Sequence, residues 1–192
     1  RIFAEEMARS TDPDFKETGT FGLFLPKGEI TLEALVNQSV MGPIGLPAVE
    51  AIYPAITTTD GEVMNAQYDY VLRMTAEELP PFGPFWSATL YDMENGFFIP
   101  NDRKKYSVGE NGFFIPNDRK KYSVGENGGM QLNEDGGIEI YVAAEQPEGV
   151  PEENWLPIER KDENIGIVMR VYEADLEKMK TWEAPKAEKL SE

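Results

Sequence analysis

Histidine and cysteine are both missing from this chain of 192 residues, and it is short of cations and of long apolar runs. Each absence excludes a chemistry. Without thiols there are no disulfides and no cysteine nucleophile. Without imidazole there is no Ser-His-Asp triad, no histidine base and almost no route to a catalytic zinc site. No apolar run approaches the ~20 residues of a membrane-spanning helix, so no membrane span is expected. Eighteen Lys and Arg face thirty-five Asp and Glu, a formal charge of −17. That balance opposes binding to nucleic acid, because such affinity comes largely from cations that neutralise phosphates. The lack of cysteine fits a reducing or an oxidising compartment equally. The sequence opens on Arg1 with no initiator Met and no apolar leader, which reads either as a chain whose signal peptide has been removed or as a fragment.

What is present supports a folded domain. Hydrophobic residues make up 41% and aromatics 11% of the sequence, a composition suited to a packed globule rather than to disorder. The chemistries left open are carboxylate catalysis, oxygen-ligand metals such as calcium, and plain binding.

Residues 94–109 and 110–125 are the same sixteen residues twice, and the match continues through Glu126, Asn127 and Gly128. Structural repeats drift apart because each copy meets a different environment. Perfect identity therefore points to a recent or introduced tandem duplication. A close-packed interior has room for one pair, Phe97-Phe98 or Phe113-Phe114. The other copy is expected outside the core, as a loop or an added hairpin. The two copies also hold six of the eighteen cations, in Arg103-Lys104-Lys105 and Arg119-Lys120-Lys121, and these runs read as solvated loop rather than as phosphate sites.

Along the chain, residues 2–9 and 31–36 have helical spacing, Thr31 offering an N-cap. Residues 1–41 are accordingly expected to be a helical linker or arm, the remnant of a preceding domain. From 42 to 192 a β domain is expected. In residues 67–74 the side chains of Tyr68, Tyr70, Leu72 and Met74 fall on one face and Asp69 and Arg73 on the other, the period of two of a half-buried strand. Residues 85–91, 138–142 and 165–172 read as further strands, with turns at Asp60-Gly61 and Asp135-Gly136. A short helix is expected within 173–182, followed by a charged tail. Strands of five to eight residues joined by loops predict a mainly β fold, an antiparallel jelly-roll-like β-sandwich with a few short helices at its ends.

These strands carry a resemblance. The series Gly45-Leu46-Pro47, Glu50-Ala51-Ile52-Tyr53, Tyr70, Pro80-Pro81 and Phe85-Trp86-Ser87-Ala88-Thr89-Leu90-Tyr91-Asp92 resembles the C-terminal domain of a microbial family whose members pair a domain of unknown function 1254 with one of unknown function 1214. Asn101 with Arg103 and Tyr106-Ser107, Asn154-Trp155-Leu156-Pro157, Arg170-Val171-Tyr172 and Trp182 with Pro185 extend the match over residues 42–189. The resemblance implies a jelly-roll-like domain that follows a second β domain, in proteins that are often exported and oligomeric. It implies no settled activity.

For binding, the residues singled out are Arg170, Tyr172, Trp86 and Asn154. Trp86 and Trp155 could stack on a sugar, but their apolar neighbours suit core packing better. Asn154 reads first as a turn residue. Arg170 stands between Met169 and Val171 on a central-looking strand, where a charge needs a partner. Glu50 or Asp92 could supply the carboxylate, and the alternative is an anion-binding arginine at the mouth of the sandwich. Glu50 and Asp92 are also the candidates for carboxylate catalysis, although no pair with glycosidase spacing can be read from the sequence. Asp60-Gly61-Glu62 and Asn133-Glu134-Asp135-Gly136 lack the spacing of an EF-hand loop, so no cofactor or metal site is expected, calcium being the one ion such loops could take.

The function expected is a non-catalytic module that binds a small molecule or glycan or supports a homo-oligomer, in a periplasmic, cell-envelope or secreted protein. A carboxylate- or metal-dependent hydrolase is one alternative, and a structural subunit of a surface assembly is another.

Overall fold

The computed structural model describes residues 32, 46, 48–101, 103, 105–109 and 129–190. The expected helix at 2–9, the one at 31–36 apart from Leu32, and the second copy of the duplicated segment lie outside these residues.

Among the described residues, nine strands fall into two sheets. They are β1 (Ala51–Ile52), β2 (Ala55–Ile56), β3 (Tyr70–Met74), β4 (Trp86–Asp92), β5 (Ser107–Gly109), β6 (Ile138–Ala143), β7 (Trp155–Pro157), β8 (Ile165–Tyr172) and β9 (Ala187–Lys189). The first sheet runs β1-β8-β4-β5, with β2 also on β8, and the second runs β7-β6-β3-β9. Pairing is antiparallel throughout except between β6 and β7. The fold is mainly β, and its helical content among the described residues is, besides the helical Leu32, one 3-10 turn, Glu152–Asn154, and one short helix, α1 (Leu176–Met179).

The alternation read from the sequence explains the two longest strands. β8 alternates buried and half-buried side chains along all eight residues, with Ile165, Ile167, Met169 and Val171 turned inward. β4 lies against β8 in register from Trp86↔Val171 to Asp92↔Ile165. Residues from both sheets join one hydrophobic cluster, among them Leu72, Ile140 and Leu156 of the second and Trp86, Leu90 and Met169 of the first. Apolar area removed from water in this way is the main source of fold stability, at ~25 cal/mol per Å2.

Several details differ from expectation. β3 begins at Tyr70, and Tyr68 lies outside it, exposed, under the Lys189 ammonium. The helix expected over 173–182 shrinks to four residues; Asp175 caps it by accepting from the backbone N–H groups of Glu177 and Lys178. The tail after Pro185 is not free. Ala187 is fully buried and β9 pairs with β3. Asn154, read as a turn residue, ends the 3-10 turn, and Trp155-Leu156-Pro157 after it form β7, which pairs in parallel with β6.

Candidate functional site

The outward face of the first sheet is where the sequence departs from core composition. Register puts Ser87 beside Arg170, Thr89 beside Val168, and Ser107 beside Thr89. β4 thus alternates apolar Trp86, Ala88 and Leu90 with hydroxyl-bearing Ser87, Thr89 and Tyr91, and the hydroxyls share the face of Arg170 and Tyr172.

Arg170 is half-buried there. One terminal nitrogen donates to Thr89 Oγ1 at 2.9 Å, and the other donates to the Tyr91 hydroxyl. Its guanidinium carbon also stands 5.6 Å from the centre of the Tyr91 ring, within cation–π range. The Thr89 hydroxyl donates to Ser107 Oγ at 3.0 Å, and Ser107 in turn donates to the Ala88 carbonyl at 3.1 Å. Thr89 and Ser107 are buried, so the relay is fixed from behind and only its Arg170 end is open. Tyr172 stacks on Phe85 with ring centres 4.2 Å apart. Burial pushes the Tyr172 phenol up, while the nearby Arg170 charge draws it back. Tyr91, Phe98 and Tyr106 continue the aromatic edge as successive stacks.

The expected carboxylate partner is not there. Among the described residues no carboxylate forms an ion pair with Arg170; the arginine is held by hydroxyls instead. Asp92 caps the turn after β4. Its Oδ1 accepts from Glu94 N at 2.7 Å and its Oδ2 accepts from Asn95 Nδ2 at 2.7 Å. The Asn95 amide, ahead of the backbone bonds to Glu94 and Asn95, holds the Asp92 carboxyl below its ordinary value. A group held ionised in this way is a poor general acid at neutral pH. Glu50 is exposed at the start of β1.

The structure separates the other two binding candidates from this face. Trp86 is 2% exposed and lies in the core cluster, so its indole presents no face to a ligand. Asn154 is 3% exposed. Its Oδ1 accepts from Gln131 N at 2.7 Å, and its Nδ2 donates to the carbonyls of Gln131 and Glu139 at 2.8 and 3.0 Å. All its amide bonding is used in clamping the strand that enters β6. The residues missed by sequence reading are Thr89, Tyr91 and Ser107. Their signal was present as hydroxyls at every second position of an otherwise apolar strand.

The first cation run also reads differently in three dimensions. Arg103 is exposed, as expected, and donates to Glu152 Oε1 at 2.8 Å while lying 4.8 Å from the centre of the Trp155 ring. Lys105 is not solvated. It is 4% exposed and its ammonium donates to the Glu152 carbonyl. Burial pushes its pKa down to about 8, against the pull of Glu152 and Glu153. The unfolded chain, with the ordinary lysine value near 10.4, therefore binds more protons above pH 8 than the folded chain does. Stability is expected to rise with pH across that window, by about 1–2 kcal/mol between pH 7 and 9.5. Urea unfolding at each pH measures it. Lys105→Met combined with Lys121→Met, the counterpart in the second copy, is expected to flatten the slope.

Two surface hollows lie elsewhere among the described residues. One of about 720 Å3 is bounded by Arg73, Glu77, Trp182 and Lys186, and one of about 210 Å3 by Asp60, Tyr68 and Lys189. Neither is lined by Arg170, Tyr172, Trp86, Asn154, Glu50 or Asp92, and Arg73 is already paired with Glu139 and Glu188. Among the described residues no group of three or more acidic side chains converges on a metal-sized point, and no helix is long and apolar enough to cross a membrane.

Comparison with known proteins agrees with the fold. The crystal structure of the VPA0106 protein from Vibrio parahaemolyticus is similar with a TM-score of 0.66 at 21% identity, over 98% of this chain and 43% of that one. This chain therefore spans less than half the length of that relative, and the likeness is one of fold. An uncharacterised protein from Burkholderia cenocepacia gives a TM-score of 0.41 at 16% identity, over 83% of this chain and 33% of that one. No curated protein matches the sequence. The model of the family described as "Protein of unknown function (DUF1214)" matches twice, over residues 50–113 and 109–176. Together these matches cover most of both sheets and well over half the chain, which belongs to the DUF1214 family.

Proposed function

We propose that this chain is a non-catalytic binding module whose ligand is a small anion or an anionic glycan, seated on Arg170 between Tyr91 and Tyr172. One observation carries the reading: Arg170 is a half-buried guanidinium with hydroxyl partners and, among the described residues, no carboxylate to neutralise it. A ligand carboxylate or phosphate would supply that charge through the paired N–H geometry that guanidinium groups favour. The stacked rings of Phe85 and Tyr172 offer a flat apolar neighbour for a sugar face. In this reading the two sheets form a jelly-roll-like sandwich within a larger, homo-oligomeric envelope or secreted protein, beside a domain of unknown function 1254. No cofactor is required.

Calorimetric titration with glucuronate, inorganic phosphate and uncharged glucose tests the proposal. The charged ligands are expected to bind and glucose not to bind. Arg170→Gln should weaken binding by about 10–100-fold, the usual worth of a charge-assisted hydrogen bond, while the unfolding midpoint changes little. Equal binding by Arg170→Gln, or equal affinity for glucose, would overturn it. Hydrolysis of any glycan that Glu50→Gln or Asp92→Asn abolished would favour the hydrolase instead.

A further inference from the structure

The larger of the two hollows lies where β9 ends beside β3. The two strands run together only from Tyr70↔Lys189 to Leu72↔Ala187. Past that point β3 continues through Arg73 and Met74 into a turn closed by the Glu78 N–H on the Thr75 carbonyl, whereas the chain ahead of Ala187 leads back to α1. The gap between these diverging segments holds about 720 Å3, within the range of sites that take small ligands. Trp182 bridges it. Its indole Nε1 donates to the Glu78 carbonyl at 2.9 Å, which ties the ring to the opposite wall and leaves it half-buried. A ring already held by its edge loses little freedom when a ligand stacks on it.

The lining has two chemistries. Leu79, Pro81 and Pro185 join Trp182 in an apolar patch, and around it stand three cations, Arg73, Lys178 and Lys186, and three anions, Glu77, Glu78 and Glu183. In a chain of formal charge −17 that balance is local, and it presents no net charge for an ionic ligand to complement. Arg73 is neutralised by Glu139 and Glu188, and Lys178 faces Asp175. Among the described residues Glu77, Glu183 and Lys186 form no ion pair. They are open to hydroxyl groups through charge-assisted hydrogen bonds. An aromatic ring beside such groups matches a sugar, which has a flat apolar face and a rim of hydroxyls. A proline-rich peptide fits less well, because such segments dock in aromatic-lined grooves, and Trp182 is the one aromatic side chain of this lining among the described residues.

We infer that this hollow binds an uncharged oligosaccharide, with Trp182 as its stacking platform and Glu77, Glu183 and Lys186 as its hydroxyl contacts. The space exceeds that of one hexose, so a chain of several rings is the occupant and glucose alone is held too weakly to register. Arg170 is no part of this lining, and the inference stands or falls apart from the anion site.

Tryptophan emission of the full chain, titrated with cellohexaose, maltohexaose and chitohexaose, reads the site. Trp86 and Trp155 are 2% and 4% exposed, so a change in emission reports Trp182. At least one of the three saccharides is expected to shift it saturably, and excess inorganic phosphate should not displace that saccharide. Measured by calorimetry, Trp182→Ala should weaken binding by about tenfold, the worth of an aromatic stack, whereas Trp182→Phe should keep most of the affinity and lose the emission change. Trp182 also packs against the core, so a second reading comes from exposed side chains: Glu183→Gln with Lys186→Met should bind several-fold more weakly at an unchanged urea midpoint. No saturable change with any of the three saccharides, equal affinity in Trp182→Ala, or displacement by phosphate would overturn the inference. Capture of a polyproline peptide by the hollow in place of the saccharides would overturn it too.

Discussion

Replacing Trp86 by alanine is expected to lower the unfolding free energy by about 3–5 kcal/mol, the range for deleting a large aromatic from a core. The indole is 2% exposed at the first position of β4, opposite Val171, where the other members of the core cluster cannot collapse fully into the void. Trp86→Phe should cost less, since a ring of similar shape refills part of the space. Urea unfolding of the three proteins measures the series, and ligand titration should show no specific loss beyond that of the unfolded fraction. A stable Trp86→Ala protein with weakened glycan binding would return the indole to the binding face and contradict its placement.

Asn154→Leu is expected to cost about 2–4 kcal/mol, because three part-buried backbone groups lose the partner that the buried amide supplies. Those groups are the N–H and C=O of Gln131 and the C=O of Glu139. Leucine keeps the branching at Cγ and is larger than asparagine, so no cavity opens and the loss comes from polarity, with some overpacking added. Asn154→Asp makes the argument sharper. It keeps the acceptor for Gln131 N but turns a carboxylate toward two carbonyls, so its deficit relative to wild type should be largest at neutral pH and narrow as acid protonates the new side chain. Equilibrium unfolding at pH 5 and pH 7.5 checks both variants. An Asn154→Leu protein as stable as wild type would show that the clamp is redundant.

The long strands were legible because alternation over five to eight residues leaves a strong pattern, as in residues 165–172, where every second side chain is buried. The short strands left none. β7 and β9 have three residues each, too few to show a period, and β9 sits among charges with only Ala187 buried. Arg170 stood out as a cation in an apolar run, so the centre of the candidate site was readable. Its partners were not, because the sequence shows which residue types are near in the chain and not which lie opposite across a strand pair. The carboxylates of Glu50 and Asp92 were expected, whereas cross-strand register supplies the hydroxyls of Thr89 and Tyr91. Lys105 was misread for the same reason. A basic run next to Arg103 reads as solvated until Glu152, far along the chain, closes over it.

β9 has a consequence for anyone who trims this protein. Ala187, Glu188 and Lys189 lie against Leu72, Val71 and Tyr70, and Leu190 N–H reaches Asp69 O. Cutting the chain at Pro185 would bare the margin of β3 along Tyr70, Val71 and Leu72, turning an interior ribbon into an open template for other chains. Such unpaired margins invite self-association, and a fragment shortened there should precipitate or form multimers that the longer chain does not.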